Sequence, residues 1–126
     1  MQSKNLNISP KDIAKARDNA ALIKKAALQV AKDFAEFNIE IDVPDNLRMV
    51  YDELFEQVNQ IISDLLDKTN SILQSLLYRI DLHEKDMRTA FSANTKHTRA
   101  IIISELILNR AMQKVMLREY FKQNGS

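Results

Sequence analysis

Metal chemistry in this chain would have to start at Asp81-Leu82-His83-Glu84-Lys85-Asp86-Met87, the one string that resembles a ligand motif. A zinc-protease helix carries two imidazoles four residues apart, with a glutamate after the first as general base. Here the second ligand position is Met87, so the imidazole pair is missing and the pattern fails. A di-iron carboxylate bundle needs Glu three residues before His on two helices. Neither His83 nor His97 has one. The string reads better as helix surface: Asp81–Lys85 and Glu84–Arg88 are acid-first pairs at i,i+4, the favoured orientation. His83 then falls at the edge of an apolar stripe.

Other chemistry is equally short of parts. Two histidines and no cysteine single out no nucleophilic triad, and without Cys there is no disulfide, thiolate or iron–sulfur site. Glu105, inside Ile101–Leu108, is the best candidate for a perturbed carboxylate: burial should raise its pKa unless a cation such as Arg99 or Arg79 pairs with it. Met87, Met112 and Met116 read as core filler. No catalytic, cofactor or metal residue is assigned, and the chain reads as non-enzymatic.

Glycine usage narrows this further. The 126 residues hold one glycine, Gly125. Phosphate-cradling loops, dinucleotide fingerprints and nucleophile elbows need glycines in short register, so none is present. Every internal reversal must be built from Pro, Asn, Ser and Thr. The polar amino terminus and the interrupted apolar cluster Ala100 to Leu108 point to a soluble, cytoplasmic protein without membrane contact.

One domain over 1–126 is expected, with 1–9 an extended arm and 38–44 an extended linker. Ser9-Pro10-Lys11-Asp12 predicts a helix start. From it an apolar seam runs Ile13, Ala16, Ala20, Ile23, Ala27, Val30, Phe34, Phe37. Ile39, Ile41 and Val43 then alternate with polar residues, as Leu6 and Ile8 do. The favoured reading packs the three linker residues on the bundle rather than pairing two short strands.

A second stripe holds Leu54/Phe55, Val58, Ile61/Ile62 and Leu65/Leu66. A capping box at Ser71–Gln74 opens a third, through Leu76/Leu77, Ile80, Met87 and Phe91. The fold expected is all-α: an up-and-down four-helix bundle with helices over 10–37, 46–67, 71–91 and 98–122. The alternative is three long helices, because the stripe keeps phase from Phe55 to Phe91 with only Thr69 and His83 polar. One continuous helix over 46–91 would imply an interlocked oligomer. A turn near 67–71, where weak helix formers cluster, is favoured.

Net charge is +1, yet charge is segregated. Residues 1–38 hold seven bases and four acids, 39–91 five and eleven, 92–126 six and two. Asp52, Glu56, Gln60 and Asp64 recur every four residues, and so do Arg110, Lys114, Arg118 and Lys122. Like charges at i,i+4 repel, so each stripe is better tolerated opposite its complement. That complement is a neighbouring helix of the same subunit, another subunit or partner, or solvent alone, in that order of preference. Interface candidates are Asp52, Glu56, Asp64, Ile102, Leu106, Arg110, Lys114, Arg118 and Lys122. The expected function is a protein–protein interaction or assembly module forming a homo-oligomer or binding another helical protein. A nucleic-acid-associated accessory protein, using Lys96, Arg99 and the basic stripe, is the alternative.

Overall fold

The apolar cluster at Ala100–Leu108 becomes the middle of the molecule. The computed structural model describes residues 10–45, 50–68, 71–93 and 96–124. These form α1 (Pro10–Ala16), α2 (Ala20–Ala35), α3 (Val50–Asp67), α4 (Ser71–Ile80), α5 (Glu84–Ala93) and α6 (Arg99–Asn124), and among the described residues there is no strand. The described residues are all-α, with six helices where four were expected. α6 packs against each of the other five. A helix so placed has no single apolar face, which is why its first half, Ala100–Leu108, is apolar nearly all round. Among the described residues, no helix is long and apolar enough to cross a membrane.

The core joins Ile23, Val30 and Phe34 of α2 with Leu54, Val58 and Ile62 of α3, Leu76 and Ile80 of α4, and Ile107, Leu108 and Met112 of α6. Ala26 and Ala27 are buried with them, allowing α2 a close approach. Met87 and Met116 pack half-buried against this cluster.

Two of the expected helices are broken. The helix over 10–37 stops at Ala16 and restarts after Asn19, whose side chain accepts a hydrogen bond from the Leu22 N–H at 3.2 Å. That satisfies one of the donors a helix start leaves unpaired. The second half ends at Ala35. Asn38 then adopts φ 60°, with Asn38 N–H donating to Ala35 C=O and Ile39 N–H to Phe34 C=O. This bond pair is a Schellman close, which usually employs glycine.

The helix over 71–91 breaks in the same manner. Asp81 has φ 71°, its N–H donates to Tyr78 C=O, and Leu82 N–H donates to Leu77 C=O at 2.9 Å. His83 then caps α5: its C=O accepts from Met87 N–H, and its own N–H donates to the Asp86 carboxylate at 3.1 Å. Asn and Asp tolerate the left-handed region better than other side chains, so the chain turns twice without glycine. The positive φ at Asp81 rules out a continuous helix over 46–91. It also takes His83 off the apolar stripe and into solvent. Asp81–Lys85 is no helical pair, whereas Glu84–Arg88 forms at 2.8 Å. Ser9, the 1–9 arm, residues 46–49 and Thr69-Asn70 lie outside the described residues, so neither the first cap nor the middle of the 67–71 turn is placed.

Between α2 and α3 the extended segment lays Ile39, Ile41 and Val43 on the core. Gln57 holds it there through its amide, which accepts from Asp42 N–H at 2.9 Å and donates to Asp42 C=O at 2.6 Å. Gln57→Ala is expected to cost about 1 kcal/mol, since water replaces both bonds only in part. It should also speed hydrogen exchange at the Asp42 amide. Unchanged exchange there would show that this amide does not hold the linker.

Candidate functional site

α3 carries five carboxylates, Asp52, Glu53, Glu56, Asp64 and Asp67, and no Lys or Arg over its whole length. All five are exposed, because the helix turns Val50, Leu54, Val58 and Ile62 inward at the same four-residue spacing. Tyr51 and Phe55 stack beside them with centroids 6.4 Å apart. With Arg17, Asp52, Glu56 and Glu105 they line a shallow recess. The Arg17 guanidinium lies 4.7 Å over the Tyr51 ring and donates to Asn109 at 3.3 Å, tying the α1–α2 turn to α3 and α6. Burial pushes the Tyr51 phenol up, with Arg17 opposing and Glu105 reinforcing.

A second surface lies between α2 and α6. Lys25, Leu28, Gln29 and Lys32 face Val115, Arg118, Glu119 and Lys122 across a groove of about 310 Å³. Four cations surround one carboxylate, and Leu28 stands 53% exposed among them. Lys25 bonds Glu119 at 2.8 Å, with Lys122 at 3.9 Å. The Lys25 hydrogen bond, helped by Lys122 and Arg118, holds the Glu119 carboxyl below the usual range. Tyr120 and Phe121, both partly exposed, sit edge to face further along α6.

The rest of the basic stripe is turned toward carboxylates of its own chain. Arg110 pairs with Asp81 at 2.7 Å, and Asp81 also receives His83 Nε2 at 3.1 Å. The Arg110 hydrogen bond holds the Asp81 carboxyl below its ordinary value. Lys114 is half-buried; desolvation pushes its pKa down, and the field of Asp33 opposes this. Asp33, 5% exposed on α2, accepts from Gln29 through both oxygens and from Arg79 Nε of α4, each at 3.2 Å. A third feature is a cleft of about 630 Å³ beside α5, where Leu73, Leu77, Met87, Phe91 and Ile103 are rimmed by Arg88 and Arg99.

The chain matches no protein-family model, and no curated protein or solved structure is significantly similar to it.

Of the interface candidates, Asp52, Glu56 and Asp64 lie together on the exposed face of α3, and Gln60 of the same stripe donates to Asp64 at 3.2 Å. Arg118 and Lys122 line the groove. Arg110 and Lys114 instead face Asp81 and Asp33, so the stripes do not meet along one edge of the subunit. Ile102 is buried, and Leu106 lines a separate cleft between α1, α5 and α6. Glu105 is half-buried at the Tyr51 recess. The cations expected beside it are elsewhere: Arg79 on Asp33, Arg99 over the Phe91 ring at 5.0 Å. Sequence reasoning missed Lys25, Leu28 and Lys32. The available signal was Leu28, which falls off the Ile23, Ala27, Val30 seam between two lysines seven residues apart.

Proposed function

We propose that this chain is a non-enzymatic assembly module of the cytoplasm that associates with copies of itself. The observation that carries the reading is the sorting of exposed charge onto separate surfaces, an α3 helix with five exposed carboxylates and no Lys or Arg of its own against a cationic groove between α2 and α6. Neighbouring like charges on one helix repel, and a complementary partner removes that cost while steering its own approach. In light scattering after gel filtration, the mass should rise with protein concentration at about 0.05 M salt and fall toward the monomer at about 0.5 M, where charges are screened beyond a few Å. A strict monomer at high micromolar concentration overturns the reading.

The groove also favours a second reading, an accessory protein that binds the nucleic-acid backbone through Lys25, Lys32, Arg118 and Lys122. Its mark is binding to duplex DNA or RNA that weakens steeply with salt. No binding at low salt retires it. Arg110 and Lys114, turned toward carboxylates of their own chain, offer such a ligand less than the sequence stripe suggested.

A further inference from the structure

We infer that the groove between α2 and α6 receives the α3 face of a second copy, so that copies join head to tail; this rests on the self-association reading above. The two surfaces match in repeat. Arg118 and Lys122 recur at four residues on α6, and Asp52 and Glu56 recur at four on α3, each pair rising about 6 Å along its helix. Two carboxylates can therefore meet two cations in one register, with Lys32 across the groove to close on the same stripe. They match in apolar content as well. Leu28 stands exposed amid the cations of the groove, and the stacked Tyr51–Phe55 pair lies beside Asp52 and Glu56. A leucine set among four bases and one carboxylate thus faces an aromatic pair flanked by Asp52, Glu56 and Glu105, with Arg17 over the Tyr51 ring.

The geometry follows from the identity of the surfaces. A two-fold dimer joins one patch to the same patch, whereas here donor and receiver are different parts of the chain. Each copy that offers its α3 face keeps its own groove open. Growth therefore does not stop at two unless the rotation closes a ring.

Two variants, each disabling one surface, test this. Lys32→Glu/Arg118→Glu reverses two groove cations and leaves the Lys25–Glu119 pair untouched. Asp52→Asn/Glu56→Gln neutralises the α3 pair, so the reversed groove of the first variant finds no cationic face on the second. All four positions are exposed, and circular dichroism checks that each variant keeps its helix content. Alone, each should associate at least about tenfold more weakly than wild type. Mixed in equal amounts they should form a one-to-one dimer and nothing larger, since the intact α3 of the first fits the intact groove of the second. Wild type that assembles while either variant assembles equally well overturns the inference and leaves self-association standing. A mixture that yields no dimer does the same. A monomeric wild type overturns both. Groove reversal that abolishes nucleic-acid binding but not self-association assigns the groove to the second reading and overturns the inference.

Discussion

Phe34→Ala should be the most damaging single truncation, lowering stability by about 3–5 kcal/mol. That is a large share of the roughly 5–15 kcal/mol a domain has in total. Phe34 is fully buried near the end of α2, and its carbonyl accepts from both Phe37 N–H and Ile39 N–H as the chain closes the helix at Asn38. The ring fills the core at the point where the chain leaves α2 for the extended segment, so its loss leaves a cavity where backbone relaxation is most constrained. A contrast on the same scale is Tyr78→Ala, since Tyr78 is 83% exposed on α4. It should change stability by no more than about 0.5 kcal/mol. Denaturant unfolding of both variants against wild type measures the difference. Equal effects would mean that Phe34 is not the core residue the fold makes it.

Phe34 was legible in the sequence, and the reason shows what periodicity can and cannot carry. The seam Ile23, Ala27, Val30, Phe34 lies in the core, as do Leu54, Val58 and Ile62, because apolar spacing reports which side of a helix faces inward. It does not report whether the helix is continuous. The seam runs in phase across Arg17–Asn19 and across Asp81–His83, yet the chain breaks at both. The usual sign of a helix end is a glycine, and here Asn38 and Asp81 take the left-handed conformation instead. Charge stripes were visible as spacing, but spacing has no direction. Whether Arg110 looks toward Asp81 or toward α3 depends on where the turn at Asp81 sends the chain, and that turn was the feature hidden.

Arg79→Met should cost about 2–3 kcal/mol, more than any surface ion pair on this molecule. Breaking a buried pair strands the remaining charge, at about 3–5 kcal/mol when both partners are dry; the Arg79 side chain is 34% exposed, which lowers the figure. The Asp33 carboxylate stays 5% exposed on α2, keeping only the Gln29 amide as a hydrogen-bond donor and the more distant field of Lys114. The penalty lies in the stranded carboxylate rather than in the lost bond. Adding Asp33→Leu should therefore recover much of the loss, because removing both partners is far cheaper than removing one. A double-mutant cycle by denaturant unfolding should give a coupling of at least about 1 kcal/mol. Strict additivity would place Arg79–Asp33 among the exposed pairs worth little, and the joint between α2 and α4 would then rest on apolar packing, to which α4 brings Leu73, Leu76, Leu77 and Ile80.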